Sequence, residues 1–125
     1  MGKKVLILED EEDILFLYRD YLSLRGYQIV SCCLSECEIE NFEKNQPDIC
    51  LIDYILCGKR TGIDAAIYIL NNFPLMPILF ITGFESMSSE LSKYPSLLKD
   101  NIQILIKPVK LLHMENTMIS MLRNT

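Results

Sequence analysis

The stretch Gln46-Pro47-Asp48-Ile49-Cys50-Leu51-Ile52-Asp53 decides the fold. Pro47-Asp48 is a turn signal, and the unbroken apolar run Ile49 to Ile52 behind it reads as a fully buried strand. Asp53 then closes that strand at its C-terminal end. In an open parallel sheet this end is the rim where ligands and chemistry collect. A carboxylate there, together with Glu9 and Asp10 at the end of an earlier apolar run, makes a site hypothesis from the sequence alone.

Working outward, Val5-Leu6-Ile7-Leu8 is another buried run, and it stops at the acids Glu9 to Asp13. Glu11 to Asp13 suit the first turn of a helix, where negative charge meets the positive end of the dipole. Glu9 and Asp10 fall in the turn before it and repel one another unless a cation is present. The helix is announced by Ile14, Leu15, Tyr18, Tyr21, Leu22 and Arg25 at spacings of three and four, and it stops at Gly26. Tyr27 to Cys33 predicts a strand. Ser35-Glu36-Cys37-Glu38 has the form of a capping box and opens a short helix to about Lys44, with Ile39 and Phe42 inward. Past Asp53, Gly58 and Gly62 suggest an unusual backbone path close to the acid. A helix then starts at Thr61-Gly62-Ile63-Asp64 and turns Ile63, Ala66, Ile67 and Leu70 inward.

Pro77 to Ile81 predicts the fourth strand, which delivers Thr82 and Gly83 to the same rim. Glu85 to Lys93 is a serine-rich, weakly periodic helix interrupted near Pro95, and Ile102 to Ile106 is the fifth strand, ending in Lys107-Pro108. Lysine is expensive to bury, so beside three acids Lys107 reads as paired. The last helix, Val109 to about Arg123, offers Leu111, Leu112, Met118, Ile119 and Leu122 to the core, with Met114 and Met121 on a neighbouring face. The methionine stripe reads mostly as core, with an adaptable apolar surface left for a partner or a second copy. His113 reads as a surface residue. Five strands alternating with five helices predict an α/β fold, a doubly wound parallel sheet, with residues 1–125 as one domain.

Composition agrees. A chain of 125 residues, half of them apolar, hides roughly two thirds of its unfolded surface in one core without a disulfide or a structural metal. A formal net charge of −5 argues against a nucleic-acid footprint and against an anionic membrane surface. Cys32, Cys33, Cys37, Cys50 and Cys57 lack zinc-type spacing and read as small hydrophobes in a reduced compartment. Neither a signal peptide nor a membrane span fits the N-terminal residues, so a cytoplasmic location is expected.

The strand ends alone collect Glu9, Asp10, Asp53, Thr82 and Lys107. Three carboxylates with a hydroxyl and an ammonium suit a hard cation such as Mg²⁺, and a carboxylate not consumed by the metal can attack a phosphoryl group. With these residues in this order the chain resembles a bacterial two-component response-regulator receiver domain over essentially its whole length. The resemblance implies the flavodoxin-like strand order 2-1-3-4-5 with five flanking helices. It implies Asp53 as phosphoacceptor, and a metal held by Asp10, by Asp53, by Glu9 through water and by the backbone carbonyl of Ile55. Thr82 would bond a phosphoryl oxygen and Lys107 would pair with the phosphate. The implied partners are a sensor histidine kinase or phosphotransfer protein and an unknown downstream protein, and a homodimer through the last helix is allowed.

Two departures from the usual family pattern stand out. The loop Tyr54 to Gly62 lacks the common Met-Pro pair and is about one residue longer, and Ile104 stands where an aromatic is usual, which predicts a muted or rerouted output. Ile55 and Phe84, apolar at positions that border the water's approach in the family, predict a longer-lived phosphoryl group. Among rival readings, an FMN-binding electron carrier conflicts with the acids Glu9 to Asp13, which would repel the FMN phosphate. An aspartate-nucleophile phosphatase lacks an acid at position 55, where the leaving group would be protonated. The closer rival is a receiver-like interaction module that works without phosphorylation. No enzyme activity beyond the domain's own phosphorylation and dephosphorylation is expected.

Overall fold

A computed structural model of the chain describes residues 2–32, 46–54 and 61–123. The sheet has five parallel strands, β1 (Lys4–Leu8), β2 (Gln28–Cys32), β3 (Ile49–Ile52), β4 (Ile78–Thr82) and β5 (Ile102–Ile106), in the order β2-β1-β3-β4-β5. The expected order is therefore observed. Among the described residues there are four α-helices, α1 (Glu12–Leu24), α2 (Gly62–Asn72), α3 (Met87–Leu91) and α4 (Leu111–Arg123), and a 3-10 turn at Pro95–Leu97. The helix expected from Ser35 to Lys44 lies outside the described residues.

Alternation along the strands feeds two cores, one on each face of the sheet. Leu6, Leu8, Cys50, Ile52, Ile78 and Phe80 pack against Ile63, Ala66 and Leu70 of α2 and Met87 and Leu91 of α3. Val5, Ile7, Ile49, Leu51, Leu79 and Ile81 pack against Leu15, Tyr18 and Leu22 of α1 and Met114, Met118 and Met121 of α4. Every residue of β3 and β4 is buried, as strands covered on both faces require. β5, at the sheet edge, is half-buried.

The helix boundaries follow local chemistry. α1 ends where Gly26 takes φ +95°, and Tyr27 N–H returns to Leu22 O at 3.0 Å, closing the last turn. α2 begins with a reciprocal capping box: Asp64 N–H donates to Thr61 Oγ1 at 3.3 Å, and Thr61 N–H donates to Asp64 Oδ2 at 2.9 Å. α3 is shorter than the expected Glu85–Lys93 and spans Met87 to Leu91.

The inward face of the last helix differs from expectation. Met114, Met118 and Met121 are buried, Leu111, Ile119 and Leu122 are half-buried, and Leu112 is 57% exposed. The methionines fall at spacings of four and three, and their unbranched side chains fill the gap over Val5, Ile7, Leu79 and Ile81. That rotation also carries Glu115 inward, where Tyr21 O–H donates to it at 2.9 Å and Arg25 lies 3.0 Å away. The stripe is core and leaves no methionine surface; Leu112 is the apolar residue this helix exposes.

Gly62 is the glycine that matters for the site. A Cβ there would collide with the carbonyl oxygen of Asp53, and Gly62 N–H donates to Tyr54 O at 2.7 Å. By contrast, a Cβ on Gly83 would meet nothing within 4 Å. Gly62→Ala is expected to lower unfolding free energy by about 2 kcal/mol through enforced backbone displacement, whereas Gly83→Ala leaves it within about 0.5 kcal/mol. Urea unfolding of the two variants checks this, and equal stability would remove the close approach as a constraint.

Candidate functional site

The C-terminal ends of β1, β3, β4 and β5 converge on one rim. Asp53 follows β3, with its N–H donated to Leu8 O at 3.0 Å, so its backbone is locked to the end of β1. Glu9 and Asp10 leave β1 in the turn before α1. Lys107 follows β5, and its N–H donates to Thr82 O at 2.8 Å. The side chains Glu9, Asp53 and Thr82 are buried and Asp10 is half-buried.

Lys107 Nζ donates to Glu9 Oε1 and to Asp53 Oδ2, each at 3.0 Å. Carboxylate oxygens of Glu9, Asp10 and Asp53 lie within 4.8 Å of one another. Glu9 Oε2 also accepts from Glu11 N–H at 3.3 Å. Thr82 Oγ1 accepts from Phe84 N–H at 3.1 Å, so this hydroxyl caps a local turn and not a helix; α3 starts later, after Ser86.

Burial pushes the Glu9 carboxyl up to about 7 from its ordinary 4.5; Lys107 works against that shift, and the charge of Asp53 adds to it. For Lys107 burial disfavours the ammonium, but the hydrogen bonds to Glu9 and Asp53 outweigh it, and the net shift is upward. Three carboxylates less one ammonium leave two negative charges when all are ionised. The residues present therefore fit a divalent hard cation, which takes oxygen donors and supplies the missing positive charge.

The three acids and the ammonium expected from the strand ends are brought together, and Thr82 closes the neighbouring strand β4 with its hydroxyl bonded to Phe84 N–H, while Ile55 lies outside the described residues. Two contributors were not read from the sequence as part of the site. Tyr18 of α1 was read only as part of the pattern that announces the helix, yet burial raises the pKa of its hydroxyl and the charges of Lys107, Glu9 and Asp53 all act on it. Tyr54 stacks on Phe84 with ring centroids 4.7 Å apart. Two aromatics following strand-end site residues on neighbouring strands are a signal that could have found the stack. Ile104 is half-buried and pairs in register with Phe80; it lines a groove of about 570 Å³ with Leu91, Leu97 and Leu98.

The family model of the response regulator receiver domain matches residues 5–118. The chain belongs to this family. The receiver domain is 30% identical over 83 residues to the alkaline phosphatase synthesis transcriptional regulatory protein PhoP of Bacillus subtilis (strain 168), a stretch that is 66% of this chain and 34% of that regulator. It thus spans about a third of the length of the curated relative it matches. In fold it is similar to a CheY-like receiver domain protein from Methanospirillum hungatei JF-1, with a TM-score of 0.84, 20% identity and coverage of 99% and 96% of the two chains. It is similar also to the response regulator TrrA from Thermotoga maritima, solved in complex with Mg(2+)-BeF, with a TM-score of 0.81, 21% identity and coverage of 95% and 98%. The CheY-like likeness agrees with the flavodoxin-like architecture.

The raised Glu9 value has a consequence for metal binding. Stability owed to protonated Glu9 is complete below its ordinary 4.5 and is lost as pH rises through about 7. A cation needs the carboxylate, so binding below that value must expel a proton. Calorimetric titration with Mg²⁺ in buffers of different ionisation heat is expected to register proton release at about pH 6 and little at about pH 8, with affinity rising between them. Equal release at both values would count against a protonated Glu9.

Proposed function

We propose that this receiver domain takes a phosphoryl group onto Asp53 from a sensor histidine kinase or phosphotransfer protein and thereby controls a downstream protein. The observation that carries the reading is Lys107 Nζ at 3.0 Å from both Asp53 and Glu9, on a rim that also holds Asp10 and Thr82. An Asp53 oxygen attacks phosphorus while the bond to the donor breaks, leaving histidine nitrogen or, with acetyl phosphate, acetate. Lys107, already hydrogen-bonded to Asp53, neutralises charge on the transferred oxygens, and Thr82 O–H donates to one of them. Glu9, Asp10, Asp53 and the backbone carbonyl of Ile55 would hold Mg²⁺, which when bound supplies further neutralisation of that charge.

The reading takes residues 1–125 as one receiver domain acting in the cytoplasm, with no turnover beyond its own phosphorylation and dephosphorylation. Among the described residues no helix is long and apolar enough to cross a membrane. The acidic net charge of −5 supports protein partners over nucleic acid or an anionic membrane. For a homodimer through α4 the support is the exposed Leu112; Ile106 of the edge strand is exposed as well.

Intact mass after incubation with acetyl phosphate tests the reading. One phosphoryl group is expected on the wild type with Mg²⁺, and none on Asp53→Asn or without the metal. Lys107→Ala, shown to be folded by circular dichroism, should take up phosphate about 100-fold more slowly. No uptake by folded wild type would leave the phosphorylation-independent interaction module as the better account.

A further inference from the structure

The rim between β3 and β4 carries an aromatic pair next to the charge cluster. Tyr54 follows Asp53 and Phe84 lies two residues past Thr82; their rings stack at 4.7 Å with an interplanar angle of 22°. Extending the register Ile52↔Phe80 by two residues brings Tyr54 level with Thr82. Main-chain hydrogen bonds hold both members. Tyr54 O accepts from Gly62 N–H at 2.7 Å, and Phe84 N–H donates to Thr82 Oγ1 at 3.1 Å. Both rings are half-buried and pack on the same apolar cluster as Ile104.

Thr82 is fully buried, so its hydroxyl exchanges partners only within the protein. A phosphoryl group on the neighbouring strand end would offer it anionic oxygens, and hydrogen bonds to charged acceptors are about twice as strong as neutral ones. The staggered positions of Oγ1 are about 120° apart, so an oxygen turned toward the phosphoryl group leaves the line of Phe84 N–H. A neutral hydrogen bond and one ring contact are comparable in strength with the charge-assisted bond that replaces them. Gly83, between the two residues, has open space beside it and does not oppose the movement. Phe84 O accepts from Met87 N–H at 3.1 Å, which hands a shift of Phe84 to the start of α3.

We propose that the Tyr54–Phe84 stack, latched to Thr82 by the Phe84 N–H, is the element that phosphorylation of Asp53 releases, and that this release moves the start of α3. The inference rests on the phosphoacceptor reading above. It places the moving ring at the rim beside the phosphoacceptor, while position 104 on β5, where an aromatic is usual, is the aliphatic Ile104.

NMR of protein with ¹³C-labelled tyrosine tests it, with the Tyr54 resonances assigned by Tyr54→Phe and the unstacked position set by Phe84→Leu. In unphosphorylated Thr82→Val, which keeps the shape but loses the acceptor oxygen, the Tyr54 signals should move toward the unstacked position. Unchanged signals there would overturn the latch, whatever the phosphorylation chemistry. In wild type treated with acetyl phosphate and Mg²⁺, the same movement should accompany uptake measured by mass on the same sample. Uptake without ring movement overturns this proposal alone, and no uptake overturns the phosphoacceptor reading together with it.

Discussion

The Lys107 ammonium, hydrogen-bonded at once to Glu9 and Asp53, is the interaction on which the rim depends. Two buried carboxylates with a third close by are costly unless a cation answers them. The topology supplies that cation from a distance. In the order β1-β3-β4-β5, Lys107 starts on the edge strand and reaches across the end of β4 to the acids that follow β3 and β1, which lie roughly 10 Å and roughly 14 Å away in strand spacings. A long flexible stem makes the reach.

That single cation leaves the cluster under-neutralised when all three acids are ionised; burial pushes the Glu9 carboxyl up, and the charge of Asp53 adds to the shift that Lys107 opposes. The same deficit makes the site receptive to a divalent cation. The fold tolerates it because the two cores beneath the rim are apolar and closed, holding the strand ends in place against the repulsion. Stability thus sits in the sheet and its two helical layers, and the electrostatic tension is confined to the loops above. Gly62 belongs to the same design: α2 starts hard against the Asp53 backbone and adds to the hold of β1 on it.

The surroundings of Thr82 set this receiver domain apart from the usual family pattern. Ile104 on β5 is aliphatic and packs beside Phe80, Leu91 and Leu97. The aromatic contact lies instead between Tyr54 and Phe84, connected through the backbone both to the acid-bearing strand and to the hydroxyl. A half-buried ring pair between two strand ends is held more loosely than a core side chain, so it suits a moving part better than Phe80, which is wholly buried.

The sequence by itself determined the strands, their parallel arrangement and the charged site. Short unbroken apolar runs such as Ile49 to Ile52, bounded by turn signals and alternating with helical patterns, fit the buried strands of a parallel sheet, which deliver the residues after them to one rim; Glu9, Asp10, Asp53, Thr82 and Lys107 could therefore be named before any contact was known. Tertiary structure alone decided what depends on rotation and shape. Periodicity could not choose between the leucine and methionine faces of the last helix, because both have helical spacing; the gap over Val5, Ile7, Leu79 and Ile81 selected Met114, Met118 and Met121 and turned Leu112 outward. Nor could it show the nearness of Tyr18 to Asp53 and Lys107, because these residues lie far apart in the chain. Spacing along a chain encodes which side a residue takes, whereas the distance between side chains from different elements exists only once the layers have packed.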